Sequence, residues 1–396
     1  MSSCHRTEAP RERRSASRRG SGRRVLATRL AVLCALSSAG IGLAVACGTS
    51  ARERPKAAPV THDAGPYFDV PGDGTNFCGN EIHQVLGKPP LLYFVMDASG
   101  SMSEPAVGQK TRYDVLRESS IDLVKNLGAS IRVGAAVFPR QATANDACVV
   151  GAEVMAAKKG GGSTTTAFSK AIDVVPDGGT PTAATLSALA PKFAHAFEDP
   201  SGPQAVLLVT DGGPNCNLTL DCDAASCIPN IDGGCPVANC CDPALGGTGG
   251  NCIDRSATLQ AIHDIVQGGA HVYVIGLAGS SSYETTLDQM ALVGGVPQND
   301  PPYYYRVDDL SKLEDTFHAI AASLISCEFT LADPPKQQGL TNVYLDGALL
   351  YQDPLNGWVW DGTDKVLLVG NACAELKSGQ VQDVQVITGC PTETPK

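Results

Sequence analysis

The sequence predicts an α/β fold: an open, mainly parallel sheet flanked by helices, with a Cys-rich insertion and a small C-terminal β extension. Three observations lead there. Leu91 to Met96 and Ala205 to Thr210 are continuous apolar runs, the pattern of strands covered on both faces. Amphipathic stretches alternate with such runs over roughly 250 residues, as in a sheet wrapped by helices. Beyond Glu328 only short alternating runs and turns remain.

Element by element, Leu91 to Met96 is the first buried strand. Leu116, Ser120, Leu123, Val124 and Leu127 form one stripe of the helix that follows. Ile131 to Phe138 is the next strand, and Val149 to Met155 is expected to return antiparallel beside it. After the glycines at 160–162, Thr182 to Ala196 is expected to be helical, with Pro181 suiting a first turn that needs no N–H. Ala205 to Thr210 and His271 to Leu277 are further central strands, and Tyr303 to Val307 is an edge strand. Ala257 to Gln267 and Tyr283 to Val293 are the helices between them. Leu313, Phe317, Ile320 and Leu324 mark a last helix, which Ser311 and Glu314 would open as a capping box. In the extension, Asp346-Gly347 signals a hairpin between Val343–Leu345 and Leu349–Tyr351. So small a β segment is expected to lean on the main domain or to be stapled by Cys373 and Cys390.

The first residues read as an export signal rather than as fold. They carry nine Arg against two acidic residues, then an uncharged apolar run from Leu30 to Ala46. Leu43-Ala44-Val45-Ala46-Cys47-Gly48 looks like a bacterial lipoprotein cleavage box with Cys47 as the acylated residue; ordinary cleavage or an uncleaved anchor remains open. Arg18-Arg19 and Arg23-Arg24 allow a twin-arginine route. The expected organisation is therefore leader and lipobox over 1–47, flexible tether over 48–76, main domain over 77–327 with its insertion at about 213–253, and the extension over 328–396. The expected location is the cell envelope, as a periplasmic or outer-membrane-anchored lipoprotein. The membrane enters only through the anchor at Cys47.

The leader has net charge +7, so a chain with net charge −11 leaves −18 on the rest. Such a field repels phosphate backbones, argues against nucleic-acid binding and tolerates bound cations. Twelve cysteines follow Cys47, and export makes a disulfide framework the natural reading. Seven of them crowd between Cys216 and Cys252. No CxxC knuckle and no His occurs in that cluster, which disfavours zinc.

The chemistry lies at three turns. Asp97, Ser99 and Ser101 leave the first buried strand, Thr180 sits in Gly178-Gly179-Thr180-Pro181-Thr182, and Asp211 follows the second buried strand. Carboxylates and short hydroxyls are hard oxygen donors that suit Mg²⁺ or Mn²⁺, and in an open parallel sheet ligands gather beyond the carboxyl ends of the strands. Each piece alone has a plainer reading: polar turn chemistry for the Asp-x-Ser-x-Ser run, a helix cap for Thr180, a turn residue for Asp211. Their joint occurrence, each at the end of the right element, favours one cation site.

On these residues the chain resembles the von Willebrand factor type A domain with the metal-ion-dependent adhesion site of integrin inserted domains, over roughly Pro89 to Ser326. The resemblance implies a Rossmann-like sheet, and it implies Asp97, Ser99 and Ser101 as the first ligand motif, Thr180 as the second and Asp211 as the third. It implies a non-enzymatic, adhesion-type module whose cation receives an Asp or Glu of a partner protein. The Cys-rich insertion after Asp211 departs from the family and would either cap, extend or replace its ligand surface or be a solvent-exposed decoration made rigid by disulfides. With seven cysteines there, one must pair outside, and Cys148, in a turn on the same face, is the expected partner. Cys240 and Cys241 are expected to take different partners. The family's neighbouring termini imply a Cys78–Cys327 bond, which would restrain the sliding last helix of integrin-like domains and give a binder of fixed affinity.

Two other functions are weighed. A structural envelope protein would use the cation only to stiffen its loops. A Mg²⁺-dependent phosphohydrolase of the haloacid-dehalogenase type would need a second Asp two residues after Asp97, where this chain has Ser99. No HExxH is present, and no His stands beside a recognisable nucleophile.

Overall fold

A computed structural model describes residues 81–395 except 84, 87–88, 143–145 and 197–201. The leader, Cys47, the tether and Cys78 lie outside the described residues. The chain enters through β1 (Glu81–His83) and β2 (Val85–Leu86) and reaches the first buried strand, β3 (Leu91–Asp97). A two-stranded ribbon, β4 (Pro105–Val107) and β5 (Lys110–Thr111), leads into α1 (Arg112–Leu127). Then come β6 (Arg132–Phe138), β7 (Ala152–Lys159), α2 (Gly162–Ala171), α3 (Thr182–Leu189) and β8 (Gln204–Thr210). Beyond the insertion, which holds the single turn α4 (Ile228–Ile231), follow α5 (Arg255–Gln267), β9 (His271–Leu277), α6 (Glu284–Val293), β10 (Tyr305–Val307) and α7 (Leu313–Leu324).

The six main strands run in the order β10-β9-β8-β3-β6-β7. All neighbours are parallel except β7, which returns antiparallel on β6. Alternate residues of β3 serve opposite faces. Leu92, Phe94 and Met96 meet α1, α2 and α7 through Leu116, Phe168 and Phe317. Leu91, Tyr93 and Val95 meet α3, α5 and α6 through Leu186, Ile262 and Leu287. Both faces are covered, which is why these strands read as unbroken apolar runs. From β3 the sheet grows through β6 on one side and through β8 and β9 on the other, so the β3/β8 boundary is the point where the winding reverses.

The last strands are β11 (Glu328–Leu331), β12 (Thr341–Leu345), β13 (Ala348–Leu350), β14 (Trp358–Asp361), β15 (Lys365–Leu368) and, after α8 (Asn371–Lys377), β16 (Val384–Thr388). They form two four-stranded sheets, β1-β16-β12-β13 and β14-β15-β11-β2. The segment before the main sheet thus supplies one strand to each. Val343 and Val386 of one sheet and Phe329, Trp358 and Val366 of the other belong to the same buried cluster as the α1/α7 side of the main sheet. The hairpin turn falls at Asp346-Gly347, where φ is 49° and 75°, as a two-residue turn with two left-handed positions requires.

Several local expectations are corrected. The helix from Thr182 stops at Leu189 and tightens to a 3₁₀ turn over Ala190–Phe193, because Pro191 cannot donate the N–H that an α-helix needs there. No capping box forms at Ser311 and Glu314. Instead Asp309 accepts from the Ser311 N–H at 3.1 Å, and α7 begins without a side-chain cap. A capping box does form at α1, where Thr111 and Asp114 exchange bonds at 3.1 and 2.8 Å. Cys327 pairs with Cys373, which overturns both the Cys78–Cys327 bond and the Cys373–Cys390 staple. The first rested on adjacent family termini, but α7 runs on into β11, beside β15 and α8, and so carries Cys327 to the extension.

Candidate metal centre

Asp97 ends β3 and Asp211 follows β8, on adjacent central strands at the reversal point. The parallel register sets Met96 against Val209, so Asp97 lies level with Thr210. The Thr210 hydroxyl donates to Asp97 Oδ2 at 2.5 Å, and the Ser99 N–H donates to Asp97 Oδ1 at 2.8 Å. Ser101 Oγ donates to Asp211 Oδ1 at 2.8 Å and lies 3.1 Å from Ser99 Oγ. A hydroxyl has one proton, so Ser99 must be the donor to Ser101. Asp97, Ser99, Ser101 and Asp211 therefore form one connected cluster, with relative exposures of 0% for Asp97, 1% for Ser99 and 3% for Asp211.

Thr180 arrives on a different device. Gly178 adopts φ 84°, and its carbonyl accepts from the Gly100 N–H at 2.9 Å, which ties this loop to the Asp97 turn. A side chain at Gly178 would stand 2.5 Å from the Ala147 carbonyl, and one at Gly179 2.6 Å from Cys216 Sγ, so both glycines are required by space. Asn215 completes the bracket: Thr180 N–H donates to its side chain at 2.7 Å, and Asn215 N–H returns to the Thr180 carbonyl at 2.9 Å. The Thr180 hydroxyl makes no hydrogen bond among the described residues.

Both acidic groups of this cluster are raised by burial. Burial, reinforced by the charge of Asp211, pushes the Asp97 carboxyl up to about 7. Burial also raises Asp211, against the pull of Arg112, whose Nη1 donates to Asp211 Oδ2 at 2.7 Å. Two buried carboxylates and three hydroxyls are an all-oxygen set that fits a hard divalent ion. Sequence reasoning did not single out Arg112, Thr210 or Asn215. Thr210 was detectable as the polar residue ending an apolar strand, but nothing marks Arg112 until the ribbon folds back.

The insertion is pinned to this edge. Cys148–Cys216 joins it to the turn after β6, as expected, and Cys240 and Cys241 go to Cys235 and Cys227. Cys222 pairs with Cys252. The sulfurs of Cys222, Cys241 and Cys252 lie within 4.8 Å of one another, but all three are in disulfides and none is a thiolate for zinc. Tyr283, at the start of α6, donates to Asp232 at 2.7 Å and holds the far side.

A comparison with known families matches residues 92–319, more than half of the chain, to the von Willebrand factor type A domain. The chain belongs to this family. No curated protein matches it. Among solved structures, the von Willebrand type A chain is similar to the open conformation of the pilus adhesin SpaC from Lactobacillus rhamnosus GG. They share 18% identity and a TM-score of 0.43, over 76% of this chain and 38% of that one. The PilB minor pilin of Streptococcus sanguinis gives 20% identity and 0.40, over 59% and 60%. Manganese-loaded TRAP of Plasmodium vivax gives 14% and 0.37, over 66% and 94%. The chain spans about two fifths of the length of SpaC. Among the described residues no helix is long and apolar enough to cross a membrane.

Proposed function

We propose that this von Willebrand type A domain is a divalent-cation-dependent protein-binding module of the cell envelope, adhesion-type and non-enzymatic. Asp97, Ser99, Ser101, Thr180 and Asp211 would hold Mg²⁺ or Mn²⁺, and an acidic side chain of a partner protein would complete the coordination. The observation that carries the reading is the pair of buried carboxylates within one hydrogen-bonded cluster, faced by a single arginine. Burying two like charges is costly unless opposite charge compensates them, and a divalent cation supplies what one guanidinium does not. The bound ion would polarise an incoming carboxylate. The chain's own residues do the rest: Thr210 and the Ser99 N–H fix Asp97, Ser101 fixes Asp211, and Asn215 presents Thr180.

The leader and the lipobox at Cys47 support display on the envelope, and Gly48 after Cys47 is compatible with outer-membrane sorting in a diderm bacterium. The test is capture of partners from envelope extracts by the full chain, with Mg²⁺ or with chelator, repeated with Asp97→Ala. Loss of the captured protein on chelation and in the variant is expected. Equal capture in every condition defeats the reading. If Mg²⁺ raises the melting temperature and captures nothing, the cation is structural.

A further inference from the structure

Arg112 is the first residue of α1, and its side chain is only 15% exposed. Its place is built from three directions. The capping box of Thr111 and Asp114 fixes the helix start, and the Arg112 backbone N–H donates to the Glu104 carbonyl at 3.0 Å across the base of the ribbon. Gly279, in the turn after β9, closes over the guanidinium: with φ 106°, a side chain there would stand 3.1 Å from Nη1. The guanidinium has three partners: Nη1 donates to the Ser101 carbonyl at 3.5 Å, and two carboxylates of opposite character take the stronger bonds. Nη1 is 2.7 Å from the fully buried Asp211 carboxylate, while Nη2 is 2.7 Å from Glu104, whose side chain is 58% exposed.

We propose, on the basis of the cation reading, that Arg112 is a tethered counter-charge of the metal centre, a positioning residue that competes with the cation for Asp211. Around a bound ion Asp97 and Asp211 are both ionised and bring two negative charges to the buried site, which Arg112 offsets by one, while Glu104 is more than half exposed and screened by solvent. A divalent ion would then leave the buried site with one net positive charge, which a single partner carboxylate neutralises. Without Arg112 the loaded centre would be neutral and the attraction for an acidic partner would fall. The same charge repels the entering ion, so Arg112 lowers cation affinity in exchange for partner selectivity. Glu104 provides the second seat onto which the guanidinium's charge is drawn as the ion takes Asp211.

The experiment is a titration of the full chain with Mn²⁺ alone, read by electron paramagnetic resonance, alongside thermal melts of the metal-free protein. Arg112→Gln is expected to bind Mn²⁺ about tenfold more tightly than the parent, a gain of about 1.4 kcal/mol. Arg112→Lys, which keeps the charge, is expected to stay within about threefold, or roughly 0.7 kcal/mol. Metal-free Arg112→Gln should melt below the parent, and Asp211→Asn should remove that difference, as a double-mutant cycle requires of a direct charge pair. Unchanged or weaker Mn²⁺ binding by Arg112→Gln overturns the proposal, because Arg112 would then only orient Asp211. If the parent itself binds no Mn²⁺, the cation reading falls and this inference with it. Should Arg112→Gln fail to fold, Glu104→Gln decides the matter: it leaves Arg112 wholly to Asp211 and should weaken Mn²⁺ binding, and no change there also overturns the proposal.

Discussion

The turns that carry Asp97 and Asp211 and the insertion that follows them sit at one sheet edge yet are held by opposite means. Asp97 and Asp211 ride on strands buried at every position, and their turns are fixed by hydrogen bonds of 2.5 to 2.8 Å. The insertion between Asn215 and Cys252 has almost no apolar interior. Its buried cluster consists of Cys227, Cys241 and Cys252, with Leu220 packed partly against it, while Leu218 and Leu245 face solvent. Where burial is available the chain uses it. Where it is not, disulfides take over, as a small segment without a core of its own requires.

The largest expected effect breaks the sheet side of this contrast. Phe94 lies in the middle of β3, tilted on Phe168 and edge-on to Phe317 at 5.3 and 5.7 Å. Phe94→Ala should cost about 3–5 kcal/mol, seen as a lower urea midpoint for the whole domain. The insertion side should break differently. Replacing Cys227 and Cys241 together by Ser removes a link closing a loop of 14 residues, worth about 3 kcal/mol in the chain-entropy estimate. That loss should stay local, with new protease cleavage between 217 and 251 and the urea midpoint of the sheet nearly unchanged. A collapse of the whole domain would show that Ile228 and Ile231, which pack against the α3/α5/α6 side of the sheet, couple the two regions strongly.

The sequence revealed the sheet because burial on both faces leaves unbroken apolar runs, and β3, β8 and β9 were legible for that reason. The five candidate oxygen donors stood out because each stands beyond such a run or on a glycine-bracketed turn, and the structure joins four of them, Asp97, Ser99, Ser101 and Asp211, in one hydrogen-bonded cluster. The Cys148 link was legible from parity together with the expected place of Cys148 in a turn on the same face. What it hid depends on contacts distant in the chain. Helix α2 opens Gly-Ser-Thr-Thr-Thr, a poor helix start, and forms because Phe168 packs beneath the sheet. The extension's dependence on β1 and β2 exists only once the segments before and after the main sheet meet, and the Cys327–Cys373 pairing only once β11 carries Cys327 beside α8. Arg112 becomes part of the centre because a seven-residue ribbon returns the chain to its own start, a placement that no local pattern encodes.

A smaller effect sharpens the comparison at that ribbon. Thr111→Ala removes the cap of α1 and should cost about 1 kcal/mol of stability. Because the cap also fixes the residue that holds Asp211, Mg²⁺ stabilisation of the domain should change with it. An equally exposed hydroxyl elsewhere, such as Thr316→Ala on α7, should leave that Mg²⁺ response untouched.

The smallest effect is expected where both kinds of support coincide. Helix α7 ends at Leu324, and three residues later Cys327 is bonded to Cys373 in α8. The covalent link expected there with Cys78 is made with Cys373 instead. The disulfide is not alone: the Cys327 carbonyl accepts from the Leu368 N–H at 2.9 Å, and β11, beginning at Glu328, is paired on both sides by β15 and β2. If α7 is the element whose slide sets affinity in integrin-like relatives, here its end is held by a sheet as well as by a covalent link. Replacing Cys327 and Cys373 together by Ser should lower the melting temperature, since an unlinked chain gains entropy when unfolded. The Mg²⁺-dependent affinity should move by less than about tenfold, or roughly 1.4 kcal/mol, because the paired strands keep the helix in register. A larger change without unfolding would mean that the covalent link alone holds α7, and that this centre is adjustable rather than fixed.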